Sequence, residues 1–369
     1  MKIFLVGGAV RDELLGHPIK ERDWVVVGAT EKHMLDLGYR QVGKEFPVFL
    51  HPRTREEYAL ARMERKVAKG YKGFHFDTST KVTLAEDLER RDLTINAMAK
   101  SPEGELIDPY HGKADLDKRI LRHVSKAFAE DPVRILRVGR FLARYHHLGF
   151  QVAPETLALM RAMTDAGEVD ALVPERVWKE LERALGEPTP AAFFEVLHQA
   201  HALHRLLPGL TIEGAGLHAL IHTAKLSPNA TARFAALLYA YPETAMADPQ
   251  ASIAALCRRT RAPNAYRDLA LLTAKHYRAA LQADTATPEQ LLALFSGLDI
   301  YRRESRFHDF LAACAGIAAA LHLPFNARLL ETKAAIVKAV PIAPLLTQGL
   351  HHDALAAAIH AERLAALNK

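Results

Sequence analysis

GGAVRDELLGHPIKERD, residues Gly7 to Asp23, decides how the rest of the chain is read. A short apolar strand, Ile3 to Val6, leads into two glycines, which let a backbone turn sharply and approach a ligand closely. The spacing then predicts a helix that stops at Gly16. The unpaired N–H groups at such a helix start, with Arg11 nearby, form a cradle suited to a phosphate, with Gly8 at its floor. After the turn at Pro18 a second strand is predicted over Glu21 to Val27. Strand alternation puts Glu21 and Asp23 on one face and turns Arg22 away. Two adjacent carboxylates repel each other unless a cation sits between them, and hard oxygen ligands of this kind suit magnesium. A phosphate cradle beside a carboxylate pair points to metal-assisted phosphoryl chemistry. Each half alone is weak, since Gly-Gly before a helix and an acidic pair on a strand edge are both common.

The combination GGAVRDELLG followed by ERDWVVVGAT resembles the first motif of class II tRNA nucleotidyltransferases, the bacterial CCA-adding enzymes. These belong to the superfamily that includes DNA polymerase beta. The family often has DxD where this chain has Glu21-Arg22-Asp23; glutamate keeps the charge and reaches one methylene further. The resemblance implies a third carboxylate on a neighbouring strand. Glu57, in the predicted strand EEYALA, is the candidate, with a solvated edge-strand charge as the equal alternative.

Bulk properties agree with this class. The chain has 369 residues, which suggests roughly two to four domains. Lys and Arg number 48 against 43 Asp and Glu, and the pI near 9.1 is compatible with a polyanionic partner. Two cysteines, Cys257 and Cys314, exclude a disulfide scaffold and a cysteine zinc site. The N-terminal apolar run is too short for a signal peptide and no stretch approaches a membrane span, so a cytoplasmic protein is expected. Oligomeric state is not legible.

Strands are also predicted at Pro47 to Leu50 and Leu106 to Ile107, and helices around Leu14, Met34 and Leu88. Beyond Asp131 strand signals nearly vanish and helical periodicity continues to the end. The expected fold is α+β: a nucleotidyltransferase head with a mixed or antiparallel sheet and helices, then an elongated all-helical neck, body and tail. The expected divisions are head 1–122, neck 123–202, body 203–295 and tail 296–369.

Four further motifs extend the resemblance. The basic stretch RMERKVAKGYKGFHF, with Gly70 and Gly73, reads as a mobile loop. In the family such a loop repositions the site between CTP and ATP, and its full length here favours complete CCA addition. RRDLTINA, from Arg90, places Arg90 and Arg91 where guanidinium groups can meet a triphosphate. Asp92 either accepts a ribose hydroxyl or caps a helix carrying Ile95 and Met98. DPYHG, Asp108 to Gly112, matches a hinge-like third motif. In EDPVRILRVGRFLAR, Asp131 and Pro132 start a helix on which Arg134, Arg137, Arg140 and Arg144 fall within an arc of about 120°. Four cations on one arc repel one another unless they face an anion, and a solvated helix face is the ordinary alternative for such a stripe. The family's EDxxR motif implies that Asp131 and Arg134 read the incoming base, while Arg137 and Arg140 hold phosphates or the base surround. PERVWKELERAL resembles a bracing helix, with Glu175, Arg176 and Glu180 structural and Trp178 in the core.

Relatives with this head often carry an HD phosphohydrolase domain. Here Tyr239-Ala240 stands at the corresponding place, without an imidazole and carboxylate to bind metal. His218 and His222, spaced i, i+4, have no acid nearby. A degenerate HD fold without phosphatase activity is expected. Arg302, Arg303, Arg306 and Lys338 either grip the tRNA elbow or solubilise a helical tail. The resemblance implies template-independent CCA addition to tRNA from CTP and ATP by two-metal nucleotidyl transfer. Magnesium would sit on Glu21 and Asp23. The rivals are a poly(A) polymerase, an enzyme adding only CC or only A, and a non-catalytic tRNA-binding protein.

Overall fold

The structure, a computed structural model, describes residues 1–42, 48–66, 74–242, 248–346 and 352–368. The stretch opening the chain folds as strand β1 (Lys2–Val6), helix α1 (Gly8–Leu14) and strand β2 (Asp23–Val27). Gly16, at φ +68°, follows the helix as its glycine stop. Strand β2 begins at Asp23, two residues later than expected, and 17–22 carry no regular structure. Pro18 removes one N–H from this stretch and helps keep it out of the ladder.

The remaining strands of the main sheet are β3 (Arg40–Gln41), β4 (Val48–Leu50), β5 (Glu57–Leu60), β8 (Ala99–Lys100) and β9 (Leu106–Ile107), the labels β6 and β7 belonging to a hairpin over Met63–Lys66 and Phe74–Asp77. Seven strands lie in the order β3-β4-β5-β2-β1-β8-β9, with only β2 and β5 parallel. Strands β3 and β8, of two residues each, are too short to leave an alternation in the sequence. The expected loop over 62–76 is in part this hairpin; Gly70 and Gly73 lie outside the described residues, as does Pro47.

Alternation divides the sheet into two faces. Val25, Val6, Ala61 and Ala99 pack with Leu88 of helix α3 (Leu84–Glu89) on one side. Val26, Tyr58, Leu60 and Phe49 pack with Met34 of helix α2 (Glu31–Asp36) on the other. Asp23 and Glu57 belong to the Val25 face, at the end of their strands. The glycine of the DPYHG motif fixes the next element. Gly112 opens helix α4 (Gly112–Lys118) so close to the turn at Thr94 that a Cβ there would lie 2.2 Å from the Thr94 carbonyl oxygen.

The later chain is helical, as expected, apart from a two-residue parallel pair, Ile120–Leu121 with Gln151–Val152. Helix α5 spans Val133–Tyr145, one residue later than expected because Pro132 occupies the cap. The Asp131 carboxylate accepts the Val133 N–H at 3.1 Å. Then follow α6 (Pro154–Asp165), α7 (Pro174–Leu185), α8 (Ala191–Gln199) and α9 (Leu203–Leu206). Two compact units result: Met1–Glu180 with Ala192–Leu206, and Leu181–Ala191 with Leu207–Lys369.

The second unit holds nine further helices among its described residues, starting with α10 (Ala215–Leu226) and α11 (Ala230–Leu237). Phe295, Phe310, Ile317 and Leu330 lie at its centre, fully buried. Tyr239, expected at the place of a metal-binding histidine, packs edge-on against Tyr277 at 5.0 Å in this core. His218 is exposed and His222 half-buried. Arg233, 4% exposed, donates to the carbonyls of Leu185, Glu187, Ala224 and Ser227, and so satisfies orphan acceptors at the ends of α7 and α10.

Gly316, in the helix Glu304–Ala320, meets α10 so closely that a Cβ would lie 1.9 Å from Thr223 Oγ1 and 2.7 Å from its backbone nitrogen. The blocking atoms include backbone, so no side chain can step aside. Gly316→Val is expected to lower the unfolding free energy of this unit by about 3 kcal/mol, the upper range for overpacking. Urea denaturation followed by circular dichroism measures it, and an unchanged midpoint would contradict the close crossing.

Candidate active site

The register of β2 sets Asp23, the glycine turn and Glu57 side by side, whereas Glu21, expected on the same strand face as Asp23, lies before the strand, where alternation does not apply. Asp23 is the direct neighbour of Val6 on β1, the residue before the glycine turn, and of Glu57 on β5. Both carboxylates therefore stand on one face at the mouth of that turn. Glu56 points the other way, where it takes the Trp24 indole N–H at 3.2 Å and lies 3.7 Å from Arg22. Glu21 precedes the strand and is exposed. Its charge still reaches Asp23: burial raises the Asp23 pKa, Arg91 lowers it and Glu21 raises it further, with a net rise. Asp23 as a residue remains exposed, so the rise reflects protein crowding around a carboxylate that solvent still reaches. Among the described residues no three His, Cys, Asp or Glu side chains converge on one metal position. Two carboxylates at the mouth of a turn suit a divalent cation that completes its shell with water and substrate oxygens.

Gly7 caps α1 at φ 69°, ψ −128°, and its N–H donates to the Met98 carbonyl. A Cβ on Gly7 would lie 2.8 Å from Arg91 Nη1. Arg91 is thus at the glycine turn and within electrostatic reach of Asp23. It is loosely held, by the Asn96 carbonyl at 3.4 Å and Asp87 at 3.3 Å, and its Nε is buried without a hydrogen-bond partner. Arg90 turns away from the glycines, and donates to Asp87 at 2.6 Å and to the Arg62 carbonyl.

Arg11 stands differently from its expectation. It is 3% exposed, its guanidinium bonded to Asp12 at 2.8 Å and Asn96 at 2.5 Å and packed over the rings of Phe141 and Tyr145. It joins α1, the RRD turn and α5 from inside. Asp92, 7% exposed, accepts the Leu93 N–H, the Asn96 amide and Arg137 Nε at 2.7 Å. It caps no long helix; the next element is a single 3₁₀ turn, Thr94–Asn96.

The arginine arc of α5 is neutralised by the protein itself. Arg137 pairs with Asp92, Arg140 with Glu180 at 2.6 Å, and Arg144 approaches Asp12 at 3.6 Å. Arg134 donates to the carbonyls of Ala127 and Arg90. Asp131 is gripped by both Nη atoms of Arg176, at 3.1 and 2.7 Å. Asp12, Asn96, Asp87 and Arg176 could not be recognised as partners from the sequence. The unexplained charge balance of the arc was a hint that acids such as Asp12 and Glu180 face it.

These buried aspartates make a pH prediction. Burial alone would raise the pKa of Asp92, but Arg137, the Asn96 and Arg137 hydrogen bonds and Arg134 outweigh it and hold it well below 3.8. Asp87 is likewise lowered, Arg90 and Arg91 overcoming burial. The unfolded chain then binds protons that the folded one does not, so stability rises with pH. The contribution is complete above about pH 5 and lost as pH falls through the ordinary carboxylate range, near pH 4, and below. Thermal melting between about pH 5 and pH 3 should show a falling midpoint. Asp92→Asn should flatten that slope; an equally steep slope would contradict the assignment.

The fold of residues 1–122, a mixed sheet with a glycine turn between its first two strands, is that of a polymerase-type nucleotidyltransferase head. Residues 3–122 match the family described as "Poly A polymerase head domain", and residues 149–213 "Probable RNA and SrmB- binding site of polymerase A". The chain is 52% identical to the multifunctional CCA protein of Thioalkalivibrio sulfidiphilus, over 100% of this chain and 98% of that one. It is 49% identical, with the same coverage, to a CCA-adding enzyme of Pseudomonas putida strain W619. The chain belongs to the CCA-adding enzyme family. Solved structures agree in fold: a CCA-adding enzyme in an apo form superposes with a TM-score of 0.75 at 20% identity, covering 100% of this chain and 88% of that one. The Thermotoga maritima CCA-adding enzyme, solved with tRNA, gives 0.71 at 18% identity over 99% and 87%.

Proposed function

We propose that this chain adds CCA to the 3′ end of tRNA from CTP and ATP, without a nucleic-acid template and with magnesium. The family relationship supports the reaction, and one observation carries the site: Asp23 stands in register with both the strand leading to the glycine turn and with Glu57. When bound, divalent cations supply an activated 3′-hydroxyl and offset charge on the leaving pyrophosphate. Glu21 and Asp23 hold the cation, and Glu57 adds negative charge from the next strand. Gly7 and Gly8 leave room for a triphosphate, and Arg91, with its donors underused, turns onto it. Asp92 faces the ribose, held rigid by Arg137 and Asn96. Asp131 and Arg134 read the base edge after exchanging the Arg176 fork and the carbonyl contacts for it. The guanidinium groups of Arg11 and Arg140 are taken up by Asp12, Asn96 and Glu180, and we assign them to placing α1 and α5.

Residues 1–122 then act as head, 123–202 as the nucleotide-selecting neck, 203–295 as body and 296–369 as the tail that meets the tRNA. Arg302 and Arg303 are exposed there, whereas Lys338 pairs with Glu304 and Arg306 donates to the Leu298 carbonyl. No helix among the described residues is long and apolar enough to cross a membrane, and we place the protein in the cytoplasm, where its substrates are. We assign the region around Tyr239 no phosphohydrolase activity; metal-dependent phosphodiester turnover by the purified protein would contradict that.

The test is incubation of a tRNA lacking its 3′ end with each NTP and magnesium, with sequencing of the product. Extension that stops after CCA supports the proposal. A run of A identifies a poly(A) polymerase, CC alone or A alone a partial enzyme, and no extension a tRNA-binding protein.

A further inference from the structure

Asp87 is wholly buried at the end of α3, yet touches no expected substrate. One carboxylate oxygen accepts the Arg62 N–H at 3.2 Å and the Arg90 guanidinium at 2.6 Å; the other accepts Arg91 Nη2 at 3.3 Å. Arg90 in turn donates to the Arg62 carbonyl, so the backbone at the root of the β6–β7 hairpin is held from both sides. The two arginines are held unequally. Arg90 has the short, forked contact, while Arg91 has two long ones and a buried Nε with no partner. A guanidinium held only by two long contacts keeps donors for another acceptor, and of its two anchors the Asp87 carboxylate is the charged one, so its position still depends on Asp87. Gly7 provides the space for it, since any Cβ there would collide with Nη1.

We propose that Asp87 is a positioning residue for nucleotidyl transfer: its carboxylate sets where Arg91 stands beside Gly7 and Asp23, ready for the triphosphate. The inference rests on the reading that Arg91 meets the incoming nucleotide. It also ties the root of the β6–β7 hairpin to that arginine through one carboxylate, so a shift of the Arg62 backbone is felt at Arg91.

A double-mutant cycle tests this, with KM for CTP and ATP, kcat, tRNA affinity without nucleotide, and thermal midpoint measured for each variant. Asp87→Glu keeps the charge that the buried arginines require and displaces it by one methylene. It is paired with Arg91→Met, and Asp87→Asn serves as the stronger variant where it folds. Asp87→Glu is expected to raise KM for both nucleotides about 10-fold, the size of effect that sub-ångström misplacement produces, with tRNA affinity unchanged. In the Arg91→Met background the same substitution should change KM less than twofold. Effects that multiply across the cycle, or an Asp87→Glu protein with normal KM, overturn the proposal while leaving the proposed reaction intact. If Arg91→Met alone leaves KM unchanged, the placement of Arg91 on the triphosphate falls, and the role of Asp87 with it.

Discussion

Asp23→Ala is expected to abolish CMP and AMP incorporation, by about 10³-fold or more, while tRNA binding stays near that of the unaltered protein. The magnitude follows from the role proposed for the carboxylate: a divalent cation held at a developing charge would contribute several kcal/mol, and each 1.36 kcal/mol is about tenfold in rate. Glu21 cannot replace it, because it lies outside the strand, whereas the Asp23 backbone is pinned between Val6 and Glu57. The same substitution separates function from folding. Burial, offset by Arg91 and added to by Glu21, raises the Asp23 pKa, so at neutral pH its charge opposes the folded state. Removing it should therefore leave the melting temperature unchanged or higher, the pattern of a group kept for chemistry at some cost in stability. Asp23→Ala protein that still extends tRNA at a substantial rate, or that unfolds at a lower temperature, would refute this assignment. Filter binding to tRNA, primer extension and calorimetry on one preparation give all three readouts.

The strand–turn–strand corner that carries Asp23 was legible in the sequence because it is local. The two strands within Lys2 to Val27 obey period-two alternation, which sets Asp23 on the Val25 face, whereas Glu57 was a candidate from the family resemblance and its place beside Asp23 comes from the register of the sheet. The start of β2 was missed by two residues since an alternating pattern does not say where hydrogen bonding begins. The arginine arc was legible as a charge problem but not as a solution. Its acids lie far away in the chain: Asp92 is 45 residues before Arg137, and Glu180 is 40 residues after Arg140. Only the folded chain shows that the anion facing Arg140 is the protein's own. The buried setting of Arg11 was not legible for the same reason, as its ring partners come from α5 and its second acceptor from the 3₁₀ turn at Asn96. Helical class in the second unit was readable from periodicity, whereas the close crossing at Gly316 and Thr223 depends on which faces meet.

Gly7→Ala should lower kcat/KM for both nucleotides by about 10²-fold and leave the chain folded. Two costs arise and fall on different things. At φ 69°, ψ −128° an L side chain is strained, which takes about 1–3 kcal/mol from stability. The new Cβ also meets Arg91 Nη1 at 2.8 Å, and because that atom ends a flexible, loosely bonded side chain, the arginine moves and the backbone stays. The relief that saves the fold therefore misplaces the group meant for the triphosphate, and misplacement of about 1 Å can cost 10²-fold. Gly8→Ala provides the contrast. Its φ is not positive, and its Cβ meets only Arg11, at 3.4 Å from Nη2, which the protein tolerates with a small adjustment. A nucleotide that packs against this backbone would meet that methyl directly. A large rise in KM for Gly8→Ala with an unchanged melting temperature thus reports substrate contact at the turn, whereas Gly7→Ala with wild-type KM would mean that Arg91 does not act there.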